Sequence, residues 1–205
     1  MTLRFDELSD AQKKSARQEW VESNCDYPYD EWWVFDDFLR VAELLGIEIG
    51  YRNDVVRSRA IYFSGFSSQG DGACFEGSYK CAPNAVKDIT EYAPADKTLV
   101  NLAGRLAALQ VKARLVHNDQ LVAQITTSGC YSHSGTMNVE VGTDGTDRPS
   151  EGAEDDEVKE LTACMREFAD WIYKELEEQY DWHFSDEALD AILEDKTFSE
   201  NGSII

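Results

Sequence analysis

Hydrophobic residues recur with a helical period at the two ends of the chain and with period two through much of its middle. Near the N-terminus, Ser9 followed by Asp10 is a typical helix N-cap and predicts a first helix over Ala11 to Glu22. After Pro28, apolar residues spaced three and four apart predict a second helix from Asp30 to Leu45. The first 46 residues are therefore predicted to be helical.

The next region changes to strand-like alternation. Apolar residues alternate with polar ones in Ile47 to Arg52 and again in Arg59 to Phe66. The run 67–72 is rich in Gly, Ser and Asp and predicts a turn, so Ala73 to Tyr79 is predicted to be the returning strand of a hairpin. Lys80 to Ala95, which contains two prolines, is predicted to be a loop or a broken helix.

A central helix and a second group of strands follow. Leucine and alanine spacing predicts a helix over Lys97 to Gln110. Strands are predicted at Lys112 to Val116 and Gln120 to Thr127, on either side of a His117–Asp119 turn, and at Tyr131 to Val141.

The C-terminal part is predicted to be helical after a surface loop over 142–152. Apolar residues from Val158 to Tyr180 are spaced three or four apart and form a continuous stripe on one long helix. Ser185 is predicted to cap a shorter helix over Glu187 to Glu194, and the tail from Ser199 is expected to be loose.

Runs of strands joined by short turns, placed between helices, predict an α+β fold. We expect an antiparallel β-sheet of about five or six strands, flanked by N-terminal and C-terminal helices. The 205 residues predict a single domain, 1–205. Within it, 1–46 would be the helical N-terminal part, 47–142 a β-rich core with one helix, and 154–196 the C-terminal helices.

The charge of the chain limits what it can bind. Its 19 basic and 40 acidic side chains give a formal net charge of −21. Direct binding to nucleic acid or to an anionic membrane is therefore not expected, because both need an excess of bases. The acids are concentrated at the C-terminal end, where residues 154–205 carry 17 acidic and four basic side chains.

The sequence indicates a cytoplasmic protein without a cofactor. The N-terminus lacks the apolar run of a signal peptide, and no stretch approaches the roughly 18 apolar residues of a membrane helix. The five cysteines are odd in number and lack C-x-x-C spacing, which is typical of reduced thiols rather than a disulfide framework. No cofactor and no metal are expected, because only Cys130 and His133 lie close together among soft ligands.

The long C-terminal helix supplies the candidate partner-binding residues. Several of its acids lie three or four residues apart, a spacing of like charges that costs a few tenths of a kcal/mol per pair. One interpretation is a solvated helix face, and the other is an acidic surface that occupies a basic, nucleic-acid-binding groove of another protein. The candidate residues are Asp155, Asp156, Glu160, Glu167, Asp170, Glu175, Glu177 and Glu178.

A second candidate is the glycine-rich hairpin tip. Gln69 and Asp71 could present hydrogen-bonding groups there, although a purely structural turn is the alternative. The stretch lacks the lysine of a phosphate-binding loop and the spaced ligands of a calcium loop. A small enzyme could use Cys74, His133 and Asp71, with Cys74 as the nucleophile if His133 lowered the pKa of its thiol.

Aromatic residues form two clusters, each of which could serve in partner binding or in core packing. One lies over 26–33, and the other consists of Trp171, Tyr173, Tyr180 and Trp182. Trp and Tyr are frequent at binding hot spots, but their helical spacing also favours core packing.

Three segments carry a resemblance to a known family. They are Ile61–Gly77, with the motif F-S-G-F-x-S-Q-G-D-G-A-x-F, Gly129–Met137, and Phe168–Glu177 together with Ser185–Glu187. They resemble a family of small accessory proteins encoded by tailed phages and prophages. The resemblance implies expression in a bacterial cytoplasm and action by binding, and it carries over no catalytic residues.

The leading hypothesis is therefore an acidic phage-type protein that binds and inhibits or modulates a host protein. Its partner would present a basic surface, in an anti-defence role that the acidic helices could serve by imitating nucleic acid. The alternatives are a small cytosolic enzyme built on Cys74, His133 and Asp71, and a structural or oligomeric protein. The apolar stripe from Val158 to Tyr180 would permit a homo-oligomer.

Overall fold

The computed structural model describes residues 2–24, 34–52, 58–129, 131–145 and 153–205. The helices are α1 (Asp10–Ser23), α2 (Val34–Leu45), α3 (Ala85–Tyr92), α4 (Lys97–His117), α5 (Asp155–His183) and α6 (Asp186–Leu193). The strands are β1 (Leu3–Arg4), β2 (Ile47–Ile49), β3 (Ile61–Phe63), β4 (Ala73–Phe75), β5 (Gly77–Tyr79), β6 (Leu121–Thr127), β7 (Met137–Thr143) and β8 (Thr197–Phe198). Part of the predicted second helix, and the aromatic cluster before it, lie outside the described residues.

Contacts along the chain divide it into two compact units. The larger unit is Trp33–Glu175, and the smaller unit combines Met1–Trp32 with Leu176–Ile205. The assignment of all 205 residues to one domain stays a prediction.

A four-stranded antiparallel sheet forms the centre of the larger unit. Its strand order is β2-β5-β6-β7, and β3 and β4 form a separate two-stranded hairpin. The predicted α+β class with an antiparallel sheet and flanking helices is thereby confirmed.

One face of the sheet is buried and the other is exposed, as the period-two pattern predicts. Leu121, Ala123 and Ile125 of β6 are buried, whereas Gln124 between them is exposed. The side chain of Gln110 on α4 donates a hydrogen bond to the Leu121 carbonyl and accepts one from the Leu121 amide, at 2.8 and 3.0 Å. Helix α4 therefore covers the buried face of the sheet.

The predicted strand Ala73–Tyr79 is divided between two sheets. β4 pairs with β3, and β5 pairs with β2 and β6. A Cβ atom at Gly77 would lie 2.0 Å from the carbonyl oxygen of Glu48, so a glycine is needed for the two backbones to approach this closely.

The prediction of a strand at Lys112–Val116 is wrong, because these residues continue α4. Their alternating apolar residues imitate a strand, but Ala, Lys, Arg and Leu favour a helix, and no helix-breaking residue occurs before Asn118. Asn118 ends the helix in the left-handed conformation, at φ 53°, so the predicted turn lies where the helix stops.

The predicted start of one strand is also wrong, and the segment predicted as loop or broken helix contains a short helix. β7 begins at Met137 rather than Tyr131, because a short 3-10 helix at Ser134–Thr136 precedes it and is capped by the His133 side chain. The 80–95 segment, predicted as loop or broken helix, contains the two-turn helix α3.

The smaller unit has its own hydrophobic core. Its buried members are Phe5, Leu8, Ala16, Leu193 and Phe198. The prediction of a loose tail is wrong, since Ile204 packs against this core and forms a β-bridge with Phe198. The apolar Ile204 in a polar tail is the sequence signal for this packing.

Two helix boundaries in the smaller unit follow the capping signals. The Ser9 hydroxyl accepts a hydrogen bond from the Gln12 amide at 3.4 Å, and the Ser185 hydroxyl accepts one from Ala188 at 3.2 Å. Both predicted N-caps are confirmed.

Candidate functional site

The acidic face predicted on α5 is partly neutralised within the larger unit. Arg105 of α4 donates to Glu160 at 2.7 Å, and its other nitrogen contacts Glu167. The hydrogen bond with Glu160 is the largest of several contributions that raise the pKa of Arg105. Two of the predicted binding carboxylates are therefore engaged by one guanidinium.

A lysine makes a similar set of contacts near the start of α5. The ammonium of Lys112 lies 2.5 Å from Asp156 and 3.1 Å from Glu154. The hydrogen bond with Asp156 raises the pKa of Lys112, and the same contact lowers the pKa of Asp156. Asp156, like Glu160 and Glu167, is thus compensated by α4.

Glu157 differs from the other acids because it is completely buried. One of its carboxylate oxygens lies 2.8 Å from Nε2 of His117 and also accepts a hydrogen bond from the Glu154 amide at 2.9 Å. The other oxygen has no hydrogen-bond partner among the described residues, and Lys112 lies 4.0 Å away. Sequence reasoning missed this pair, since Glu157 stands in an unbroken run of acids from Glu154.

The remaining predicted acids have different surroundings. Asp155, Asp170 and Glu178 are exposed, whereas Glu175 and Glu177 are half-buried. The α5 candidates therefore do not form one uniform acidic surface.

The smaller unit presents acids together with an exposed tryptophan. Trp182, near the end of α5, is 60% exposed. Asp181 is its exposed neighbour, Glu178 lies one turn earlier, and Glu187 is exposed on α6. The sequence favours core packing for the cluster that contains Trp182, but Trp182 is exposed. Trp171 of the same cluster is buried, and its indole N–H donates to Asp96 at 2.8 Å.

The glycine-rich loop between β3 and β4 has an internal structural explanation. A carboxylate oxygen of Asp71 accepts hydrogen bonds from the amides of Ser67 and Ser68, at 3.0 and 2.6 Å. Phe66 stacks on Tyr173 of α5 at a centroid distance of 5.6 Å, which fixes the loop against the helix. Asp71 is thus used within the turn, while Gln69 is exposed.

Cys74 is in surroundings that disfavour a nucleophile. Burial raises the pKa of its thiol, and the contacts that oppose this effect come from the Thr136 side chain and the His133 backbone. Nδ1 of the His133 ring accepts a hydrogen bond from the Gly135 amide at 2.8 Å. The segments that carry Cys74 and His133 are neighbours, but the geometry gives no activated thiol.

A cleft lies in the larger unit, beside β2. It has a volume of about 690 Å³. Arg59 stacks over the exposed Tyr51 in its wall, at 4.3 Å from the ring centroid, and donates to the Ile49 carbonyl at 3.0 Å. Arg40 and Glu43, also in the wall, form an ion pair at 2.6 Å. Three charged side chains of this wall, Arg40, Glu43 and Arg59, thus contact one another or the backbone.

Metal ligands do not cluster within the described ranges: no group of three His, Cys, Asp or Glu side chains is arranged to hold a metal ion. None of the helices in the described part of the chain combines the length and apolar composition that crossing a bilayer requires.

Comparison with known proteins identifies one family. A family model described as a domain of unknown function, DUF8835, matches residues 32–186, which is more than half of the chain. No curated protein and no solved structure matches the chain.

Proposed function

The chain belongs to the family described as a domain of unknown function, DUF8835, and from this premise we propose that it acts by binding rather than by catalysis. It binds a host protein with a basic surface and inhibits or modulates that protein. The setting we propose is the bacterial cytoplasm, in the anti-defence role that the resemblance to phage accessory proteins implies.

One observation carries the proposal: Trp182 is 60% exposed among acidic side chains of the smaller unit. Exposed tryptophans are frequent binding hot spots, and an indole ring also attracts Arg and Lys side chains by cation–π interaction. Asp181 and Glu187 are exposed on the same helical segment and the next one. A basic partner therefore meets both an aromatic anchor and carboxylates here.

The ion pairs of the larger unit support this choice of surface. Glu160 and Glu167 contact Arg105, and Asp156 contacts Lys112. Acids already paired within the fold offer less attraction to an incoming cation, because their field is partly cancelled. The binding surface that we propose consists of Asp181, Trp182 and Glu187, which we call the Trp182 surface.

Imitation of nucleic acid gives the proposal a specific form. A protein groove that binds DNA presents Lys and Arg to phosphates, and a carboxylate-rich surface can occupy the same groove. Association is then steered by long-range attraction and weakened by salt.

A capture experiment tests this function. The full chain is immobilised and incubated with a bacterial lysate, and the retained proteins are challenged with double-stranded DNA and, separately, with an uncharged polymer. We expect DNA and added salt to release the retained protein, and the uncharged polymer to leave it bound. Retention that DNA does not reduce would contradict nucleic-acid mimicry, and a lack of any retained protein would contradict the binding function.

The alternative of an enzyme built on Cys74, His133 and Asp71 has less support. Burial raises the pKa of Cys74, and Asp71 is used by the backbone of its own turn. No observation favours a reaction at these residues.

A further inference from the structure

Helix α4 of the larger unit exposes an apolar strip that no other described residue covers. Leu115 is 81% exposed and Val111 is 58% exposed. Ala108, about one turn before Val111, is exposed as well. Residues 108, 111 and 115 are spaced three and four apart, so they lie on one face of the helix. Large apolar side chains with this exposure are typical of an interaction surface.

The charges on and beside α4 permit a second copy of this chain to bind the strip. The helix contains Lys97, Arg105, Lys112 and Arg114 and no acidic residue, which distinguishes it from the other helices of the described ranges. Two copies of a chain with net charge −21 repel each other over most surfaces, but α4 adds no acid to this face, and Glu154 and Asp156 of α5 beside it are paired with Lys112. Lys112 is already compensated by Glu154 and Asp156, so close approach there does not oppose two bare cations.

The side chains of the strip also fit those of a second copy in size. In an antiparallel pair of α4 helices with a two-fold axis between positions 111 and 112, position 115 of one helix lies opposite position 108 of the other. The large Leu115 then meets the small Ala108, and Val111 lies beside its own symmetry mate. A hollow of about 120 Å³ borders the strip and is lined in part by Pro83, Ala107 and Val111. It gives an apolar side chain of the other copy further room.

We propose that the protein forms a homodimer through the outward face of α4, with the two helices antiparallel about an axis near Val111. This surface differs from the α5 stripe considered at the sequence level, because Leu161, Met165 and Phe168 of that stripe are buried in the core. It also contains none of the acids of the Trp182 surface, so the dimer and the proposed function can fail separately.

Sedimentation equilibrium of the full chain tests the dimer. We expect the mass of two chains at high concentration and dissociation on dilution over roughly a hundredfold range. Leu115→Glu should raise the dimer Kd at least about tenfold, because each copy loses an apolar contact and gains a carboxylate at the interface. Ile205→Glu is the matched control, since Ile205 is 70% exposed and the added charge is the same; its Kd should be unchanged.

A cysteine introduced on the proposed axis tests the geometry independently of affinity. Val111→Cys should form a disulfide-linked dimer under mild oxidation faster than the unmodified chain with its own five cysteines. A single-chain mass at every concentration would overturn the proposal, even if Leu115→Glu abolished capture of some other protein. A dimer that Leu115→Glu leaves intact, or Val111→Cys cross-linking no faster than the unmodified chain, would also overturn it.

Discussion

The two compact units carry their acidic excess in different ways. The larger unit, Trp33–Glu175, has 23 acidic and 14 basic side chains, and the smaller unit has 17 acidic and five basic ones. The larger unit uses several of its bases to bind its acids between helices, as Arg105 and Lys112 do. In the smaller unit, Arg17 connects Asp186 and Asp190 in the same manner, but the bases are too few to compensate the rest.

Charge counted along a sequence is therefore not the charge that the folded chain presents to a partner. The helix α5 is acidic from its first turn to its last, yet Glu160 and Glu167 are ion-paired and Glu157 is buried. Asp181 and Glu187 are exposed beside Trp182. An acidic binding surface is thus better supported in the smaller unit.

Loss of a buried aromatic ring from the larger unit should reduce stability most, and it tests whether the two units unfold together. Phe168 is fully buried in the larger unit, stacks on Trp171 and meets Phe75 edge-on, so Phe168→Ala should lower the free energy of unfolding by about 3–5 kcal/mol. Chemical denaturation measures this loss, and hydrogen exchange shows which unit loses protection. Tyr131→Ala, at a site 75% exposed, is the aromatic control and should change stability by less than about 0.5 kcal/mol. Equal loss of protection in both units would show one cooperative structure.

A second substitution tests how much the ion pairs of the larger unit contribute to its stability. Arg105→Gln should destabilise the chain by about 1–3 kcal/mol, because it leaves two carboxylates of α5 near each other without their cation. Arg4→Gln is the control, since Arg4 and Asp6 are exposed and 4.0 Å apart. Thermal denaturation at low and high salt measures both changes. An Arg105→Gln variant as stable as the Arg4→Gln variant would contradict the claim that the larger unit depends on its internal pairing.

Acid should affect the smaller unit through His183. Burial lowers the pKa of His183 below its ordinary value of 6.5, so the folded state holds this proton less tightly than the unfolded state. The contribution is present above pH 6.5 and is lost as the pH falls through the folded pKa. His183→Gln should therefore flatten the loss of stability below that pH. A pH profile of unfolding identical to that of the unmodified chain would be the contrary result.

Alkali should affect the larger unit through a buried thiol. Burial raises the pKa of Cys164 from 9.0 to about 12, so its contribution to stability is complete below pH 9 and is lost as the pH rises toward 12. Cys164→Ala should make unfolding less dependent on pH in this window, whatever it costs in packing. Denaturation curves from pH 8 to pH 11 measure the slope, and an unchanged slope would contradict the assignment.

Sequence reasoning reached the fold class and most helices because caps and periodic spacing are local signals. Ser9 and Ser185 are N-caps as predicted, and the sheet strands alternate as predicted. Lys112–Val116 was assigned wrongly because an apolar face left uncovered on a helix can imitate the alternation of a strand. The pattern contained the information about that exposed face, but only the fold shows that it belongs to a helix.

The candidate site was less predictable because it depends on pairing between distant segments. Nothing in the local pattern indicates that Arg105 contacts Glu160 and Glu167, which are 55 and 62 residues away. Glu157 and Trp182 reverse the usual expectation, since the acid is buried and the tryptophan is exposed. Such departures arise from tertiary contacts, and composition alone does not reveal them.

A comparison of charge-reversal variants tests whether the Trp182 surface binds the partner. Two double variants with the same change of charge are compared for retention of the captured host protein. Asp181→Lys with Glu187→Lys changes the Trp182 surface, and Asp155→Lys with Asp170→Lys changes exposed acids of the larger unit. Our account predicts that the first variant loses at least about tenfold in affinity and that the second retains most of it. Equal loss in both variants, or loss only in the second, would contradict it.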